Sequence, residues 1–156
     1  MLVILVAWVD DVMVLGPQLL VEQVQRDLEK AFTCKREGEI TKYVGSKLNF
    51  TQSDIGLGCI KFTQPILVQK LEEEYKPPED PVSKTPAVAG QVLVKDDTYG
   101  AVAPETAKLY QSATATCMFM MQWSWPDIFN AVRGLARHMT APREAHVCAL
   151  MTLIKY

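Results

Sequence analysis

The sequence predicts an α+β protein in which a strand-rich first part is followed by an all-helical last part. Short aliphatic and β-branched runs occur up to residue 62, and apolar residues recur at helical spacing after residue 104. Prolines and glycines are concentrated between these regions. We therefore expect a first domain at 1–76, an extended linker at 77–104 and a helical segment at 105–156.

The first pattern is an aliphatic run, 2–6, that leads into Asp10 and Asp11 and then into a second apolar run, 12–15. The first run is too short to cross a membrane, which takes about 20 apolar residues. Two short strand-like runs around a brief polar break predict a β-hairpin with the acidic pair at its tip. Asn-Gly or Asp-Gly is the usual turn chemistry, and adjacent like charges cost stability unless a cation is present.

The acidic pair has the donor chemistry of a magnesium site. Carboxylate oxygens without nearby His or Cys suit Mg²⁺, which keeps several waters and is usually completed by substrate phosphates. Because consecutive strand residues point to opposite faces, both carboxylates can reach one ion only where the chain bends. We expect Asp10, still on the first strand, to be the principal ligand. Such a site indicates phosphoryl or nucleotidyl transfer. In the alternative interpretation, the acidic pair is simply the point where an apolar strand reaches solvent.

A helix, a second hairpin and a short helix are predicted to follow. Apolar residues at helical spacing from 20 to 32 predict an amphipathic helix. The runs 40–50 and 59–62 predict a second hairpin, and a short helix fits between Pro65 and Pro77. Basic side chains are concentrated on or before this second hairpin, at Lys35, Arg36, Lys42, Lys47 and Lys61. Contact with nucleic-acid phosphates is one interpretation, and a solvated strand surface is the other.

Three helices are predicted in the last part, within 109–123, 128–139 and 145–156. His138, His146 and Cys148 lie here, but they lack a fourth ligand and the spacing of a structural zinc site. We therefore do not expect zinc.

Composition excludes several classes of protein. Hydrophobic residues make up 49% of the 156 residues, which is enough for a packed core. The net charge of -2 excludes a uniformly basic surface, so nucleic acid would have to bind at local clusters. The four cysteines lack paired spacing, so we expect reduced thiols. Without a signal-peptide pattern we expect an intracellular protein, cytoplasmic or particle-associated with possible nuclear entry, not secreted and without a membrane partner.

Taken in order, these motifs resemble the reverse transcriptase of copia-type retrotransposons over essentially the whole chain. The run VAWVDDVMVLG, at 6–16, resembles that family's aromatic-Val-Asp-Asp signature, with Trp8 where Tyr is commoner. The run 32–43 resembles its Phe-x-x-Lys-x-x-Gly-Glu segment, and WPDI at 125–128 resembles part of the helical stretch that follows. Trp125, where Arg is usual, is a departure from the family pattern.

The resemblance implies the C-terminal part of an RNA-directed DNA polymerase domain. The implied architecture is a partial palm with a catalytic hairpin, a helix and a second hairpin, then a short thumb helix and a helical connecting segment. In the intact enzyme, Asp10 and Asp11 would hold two Mg²⁺ ions for nucleotidyl transfer, Trp8 would pack beside them, and the second hairpin would position the primer.

The resemblance also implies partners and a limit on activity. The implied partners are an RNA or DNA template, a DNA primer, dNTP, and the fingers, remaining palm, RNase H and integrase regions of the polyprotein. The family's third catalytic carboxylate is expected on an earlier palm strand outside this chain. We therefore expect the chain to be inactive as a polymerase by itself.

Two other interpretations come from different classes of protein. A non-catalytic remnant would act at most as a structural or interaction module and would have no use for Asp10 and Asp11. A signalling receiver domain also places paired Asp residues after a buried strand. It requires a helix directly after the acids, however, whereas 12–15 continues as a strand.

Overall fold

The structure is a computed structural model that describes residues 2–38, 40–52, 58–77, 82–95 and 100–156. The chain divides into two compact units, 1–63 and 64–156, which we call the N-terminal unit and the helical unit. The division falls earlier than the predicted boundary after residue 76. The short helix that begins at Pro65 therefore belongs with the C-terminal helices.

The described residues of the N-terminal unit form two antiparallel sheets and one α-helix. Strands β1 (Ile4–Trp8) and β2 (Asp11–Leu15) form the predicted first hairpin. Helix α1 (Gln18–Ala31) follows directly, and none of its residues is fully buried. The predicted second hairpin is a three-stranded sheet in the order β3-β4-β5, built from Lys42–Tyr43, Ser46–Gln52 and Gly58–Thr63.

The extra strand β3 is made possible by a tight turn that the sequence pattern did not indicate. Tyr43 pairs with Ser46, which leaves Val44 and Gly45 as a two-residue loop. Both loop residues have positive φ, 47° and 71°. A loop with two positive φ values has the handedness of a type I′ turn, which matches the twist of the flanking strands.

In the residues that the structure describes, the helical unit has four α-helices around one core. They are α2 (Pro65–Tyr75), α3 (Pro104–Trp123), α4 (Phe129–Ala136) and α5 (Glu144–Ile154). The three helices predicted after residue 104 are present, and a 3-10 turn at Pro126–Ile128 leads into α4. Among the described residues, no helix combines the length and the apolar character needed to cross a membrane.

Apolar side chains from all four helices form the core of this unit. The buried cluster comprises Leu71, Tyr110, Ala113, Cys117, Met120, Ile128, Val132, Leu135, Leu150 and Leu153. Two side-chain hydrogen bonds add to this packing. The hydroxyl of buried Tyr110 donates to the carbonyl oxygen of Leu135 at 2.8 Å, and the amide of partly buried Gln111 donates to that of Met139 at 2.8 Å. Burial of this many apolar side chains accounts for the stability of the unit.

Residues 82–95, which make up most of the described part of the predicted linker, contain no helix or strand and pack within the helical unit. Leu93 contacts the buried cluster, and the backbone N–H of Ser83 donates to the carbonyl oxygen of Lys155 at 2.8 Å. We call 82–95 the strap. It is a part of the helical unit rather than a free connection between two domains.

Candidate functional site

The acidic pair lies at the tip of the first hairpin. Trp8 pairs with Asp11 across the two strands, so Val9 and Asp10 form a two-residue turn. Our expectation that Asp10 lies on the first strand was wrong, because this register ends the ladder at Trp8 and makes Asp11 the first residue of β2. The bend between the two carboxylates is the feature that lets both approach one ion.

The turn is strained at Val9, which has a φ of 51° and an exposed fraction of 87%. A β-branched residue at positive φ is uncommon because its side chain crowds the backbone, and such strain often occurs near functional sites. Asn or Gly would adopt the same conformation at lower cost. With Val at position 9 instead of Asn or Gly, this turn is less stable than it could be.

Both carboxylates are accessible, and Trp8 lies next to Asp11. Asp10 and Asp11 are exposed, and Trp8 is 48% exposed. Directly paired residues of antiparallel strands have neighbouring side chains on the same face. The indole of Trp8 is thus beside Asp11.

Tyr43 supports the hairpin near the acidic turn, a role that sequence reasoning missed. Its hydroxyl donates to the carbonyl oxygen of Val6 at 3.2 Å, and its side chain is buried. Burial raises the pKa of Tyr43, and the negative charge of Asp11 raises it further. Tyr43 therefore ties the three-stranded sheet to β1 close to the acidic pair. Only the alternation of Lys42 and Tyr43 on a strand could have indicated an inward-facing hydroxyl.

Asp10 and Asp11 are side chains in this unit that could hold a Mg²⁺ ion, but they would supply only part of its coordination. Among the residues that the structure describes, no group of three or more His, Cys, Asp or Glu side chains could hold a metal ion. Two exposed carboxylates on a bend nevertheless match the hard oxygen donors that Mg²⁺ prefers, and waters or phosphates usually fill its remaining positions. The two carboxylates therefore fit some of the ligand positions of a magnesium ion and leave the others to waters, phosphates or further residues.

Three of the predicted basic residues lie on one face of the second sheet. Lys42 pairs with Lys47, and Lys61 pairs with Asn49, which is two residues beyond Lys47 on β4. Because side chains alternate along strands and paired residues share a face, the three lysines point the same way. All three are exposed, whereas Tyr43 and Leu48 on the opposite face are buried. We call this surface the lysine face.

The other two predicted basic residues are not on the lysine face. Arg36 makes two hydrogen bonds to the carboxylate of Glu29, at 2.6 and 2.7 Å. The hydrogen bond from Arg36 lowers the pKa of Glu29. Lys35 lies 3.9 Å from the carboxylate of Glu37. Both cations thus have acidic partners, one in the last turns of α1 and one beyond its end, so they are less available to a phosphate than the three lysines.

Comparison with known proteins shows a similarity in sequence to a retrotransposon polyprotein. The chain is similar to the Retrovirus-related Pol polyprotein from transposon TNT 1-94 of Nicotiana tabacum, at 25% identity over 161 aligned residues that cover 99% of the chain. This similarity supports an origin in a retrotransposon polyprotein. The chain spans 12% of the length of that relative. No protein-family model and no solved structure matches the chain.

Proposed function

We propose that this retrotransposon polyprotein fragment is the part of a copia-type RNA-directed DNA polymerase that carries the catalytic hairpin. The proposal rests above all on the position of Asp10 and Asp11 at the tip of a two-stranded hairpin. The similarity to a Pol polyprotein covers 99% of the fragment's own length. In this proposal, the N-terminal unit is a partial palm and α2 is the thumb helix.

Asp10 and Asp11 would anchor Mg²⁺ in the intact enzyme. Bound magnesium neutralises charge on the phosphates and stabilises the attacking and leaving oxygens of nucleotidyl transfer. The chain itself contributes position: the hairpin ladder holds the turn, and the hydrogen bond from Tyr43 to Val6 fixes the strand behind it. Positioning is what this chemistry mostly demands of a protein.

The lysine face is the proposed contact for the phosphate backbone of a template–primer duplex. Lys42 and Lys47 are directly opposed, and like charges so placed destabilise a sheet. A bound polyanion relieves that repulsion and releases counterions, which makes such binding dependent on salt but independent of base sequence. The primer strand and an RNA or DNA template have this chemistry.

We propose that the fragment does not polymerise DNA by itself. Two carboxylates give a metal site without a means to orient a dNTP, and catalysis of this kind requires charge stabilisation at preorganised positions. The fingers, the remaining palm, and the RNase H and integrase regions would be supplied by the rest of the polyprotein.

The metal site can be tested by titrating Mn²⁺, as a paramagnetic substitute for Mg²⁺, into the fragment. We expect Asp10→Asn with Asp11→Asn to weaken binding at least about tenfold, because both anionic donors become neutral amides. Glu72→Gln with Glu73→Gln is the matched control, since it removes the same charge from two adjacent exposed acids on α2. Equal effects of the two double variants would contradict the proposal.

Polymerase function requires the longer polyprotein as the test material. A polyprotein piece that extends upstream of Met1 should incorporate dNTP on a primed RNA template in the presence of Mg²⁺. The change of Asp10 and Asp11 to Asn should reduce incorporation by about 10³-fold or more, as loss of a dominant electrostatic stabiliser does. Undiminished incorporation by this variant would refute the assignment of the acidic pair.

The lysine face can be tested by fluorescence anisotropy with a labelled primer–template duplex. The change of Lys42, Lys47 and Lys61 to Gln should lower the slope of log affinity against log salt by about 0.9 per lost phosphate contact. The control replaces three exposed lysines of the helical unit: Lys70, Lys84 and Lys108. If the control lowers the slope equally, nonspecific charge rather than the lysine face controls binding.

A non-catalytic interaction module is the second candidate, and the surface of the first hairpin favours it. Ile4 and Trp8, which point to the same face of β1, are 49% and 48% exposed. Exposed apolar residues that lie together usually mark a surface for a partner. This candidate predicts that Asp10→Asn with Asp11→Asn changes neither metal binding nor incorporation, so the experiments above separate the two functions.

A further inference from the structure

We propose that a cavity under the strap binds a small bicyclic aromatic carboxylate. The cavity has a volume of about 270 Å³ and lies between the strap and helices α4 and α5. All of its lining residues belong to the helical unit. The proposal therefore concerns this unit alone and does not depend on the proposed polymerase function.

Hydrogen bonds hold the strap in place as the outer wall of the cavity. Nε2 of His146 lies 3.0 Å from the carbonyl oxygen of Val94, and Nε2 of His138 lies 3.3 Å from that of Leu93. The two imidazole rings stack, with centroids 3.9 Å apart. At the other end of the strap, the N–H of Ser83 donates to the carbonyl oxygen of the residue that follows α5. The wall thus forms without a ligand, and a preformed cavity binds at a lower entropic cost than one that is ordered on binding.

Small side chains on the two helices leave the space under the strap open. Ala131 and Gly134 line the cavity from α4, and Ala149 and Thr152 line it from α5. Residues three apart lie on the same side of a helix, so each pair presents one small surface to the strap. A Cβ built at Gly134 would meet Cδ1 of Leu93 at 3.7 Å. The lack of a side chain at position 134 therefore keeps the helix and the strap apart.

The size of the cavity suits a bicyclic ring system. An apolar cavity of about 150 Å³ holds benzene, so a cavity of about 270 Å³ has room for two fused rings. Val88 and Val92 of the strap line the cavity and are 56% and 75% exposed, whereas Leu135, also in the lining, is 1% exposed. The cavity therefore runs from the surface to the core. A flat apolar ligand would cover part of the exposed valines, and removal of apolar surface from water favours such binding.

Arg137 gives the cavity a positive charge. Among the described lining residues, it is the one with a charged side chain, and it is exposed. Within the described part of the chain, its guanidinium makes no ion pair and no side-chain hydrogen bond; Asp96 and Asp97 lie outside that part. Asn130, two helical turns earlier, adds an amide to the same lining. Because a guanidinium binds a carboxylate through paired hydrogen bonds, an anionic group on the ligand completes the match.

Two-dimensional NMR of the whole fragment during titration with 2-naphthoate tests the site. We expect saturable binding with a Kd below about 1 mM, which is reasonable for a ligand of this size. The largest shifts should occur at Val88, Val92 and Gly134, while the core residue Ala113 stays unchanged. Absence of saturable binding, or shifts that are largest outside the lining residues, would overturn the proposal.

Two substitutions at position 134 test whether the ligand occupies the cavity. Gly134→Leu places a large side chain in the space next to Leu93 and should weaken 2-naphthoate binding at least about tenfold. Gly134→Ala is the matched control and should weaken binding much less, because its Cβ reaches only an ordinary van der Waals contact. Unchanged affinity in Gly134→Leu, or a loss that is as large in Gly134→Ala, would refute the location.

Matched arginine variants and a neutral ligand test the role of the charge. Arg137→Gln should weaken 2-naphthoate binding about fivefold, as expected for an exposed ion pair, but should leave the binding of neutral 2-naphthamide unchanged. Arg133→Gln removes the same charge from an exposed position of α4 outside the cavity and should change neither. Equal losses in the two variants, or equal affinity of the unmodified fragment for the acid and the amide, would contradict the carboxylate assignment. This comparison decides the matter even if Gly134→Leu does not fold.

Discussion

The two units of this chain bury their apolar residues to very different extents. Among its described residues, the helical unit has ten buried hydrophobic residues in one cluster. In the described part of the N-terminal unit, Tyr43 and Leu48 are the fully buried hydrophobic residues, and α1 has none. Apolar side chains on the first hairpin stay exposed although they are as hydrophobic as those in the helical core.

This difference indicates that the two units are stabilised in different ways. A dense core gives a unit its own free energy of unfolding, whereas half-exposed strands depend on local turns, single hydrogen bonds and any surface that covers them. The proposed functional residues all belong to the unit that buries fewer apolar side chains. The following changes test the contrast, from the largest expected effect to the smallest.

Removal of a core side chain should affect the helical unit most. Leu150 is 0% exposed, and Leu150→Ala should cost about 3 kcal/mol, because lost burial and a residual cavity both destabilise. Leu5 is 48% exposed, and Leu5→Ala should cost less than about 1 kcal/mol. Hydrogen exchange measured by mass spectrometry reports each unit separately. Similar costs at the two positions would contradict the contrast.

Thiol chemistry should distinguish the units at mildly alkaline pH. Burial raises the pKa of Cys117 from 9.0 to about 11, which reduces its thiolate fraction about a hundredfold before steric protection is counted. Cys34 and Cys59 of the N-terminal unit are exposed, as is Cys148 on the surface of α5. Stopped-flow labelling should show three fast thiols and a fourth that reacts only after denaturation. Four fast thiols would mean that the core opens readily.

A Tyr→Phe substitution in each unit removes one hydroxyl group and its hydrogen bond, so the two costs can be compared directly. Tyr110→Phe leaves the buried carbonyl oxygen of Leu135 without its 2.8 Å donor and should cost about 1.5 kcal/mol. Tyr43→Phe removes a longer contact, 3.2 Å to the oxygen of Val6, and should cost about 0.5 kcal/mol. Denaturant unfolding followed by hydrogen exchange gives both values. A larger cost for Tyr43→Phe than for Tyr110→Phe would mean that the hydrogen bond from Tyr43 is a main source of stability in the N-terminal unit.

A turn substitution should stabilise the N-terminal unit slightly. Val44 has a φ of 47° before Gly45, and Val44→Asn creates the Asn-Gly pair that this turn type favours. We expect a gain of about 0.5–1 kcal/mol, because Asn adopts positive φ with less strain than a β-branched residue. Val82→Asn, at an exposed strap position, is the control and should give no gain. A loss of stability at Val44 would mean that its packing outweighs its backbone strain.

Much of the local structure was predictable because each element has its own periodicity. The apolar runs around Asp10 and Asp11 predict a hairpin by themselves, and the helices after residue 104 follow from their spacing. The register within the hairpin was not predictable. A shift of one residue decides whether Asp10 is on the strand or in the turn, and nothing local to the pair sets that choice.

The sequence by itself determined which segments form strands and helices, where the acidic pair falls between two strands, and where basic residues are concentrated. Tertiary structure alone decided that α2 and the strap belong to the helical unit, that Lys42, Lys47 and Lys61 share a face, and that the rings of His138 and His146 stack. The reason is physical: periodicity is set by neighbours along the chain, whereas register and packing depend on contacts between residues far apart in sequence.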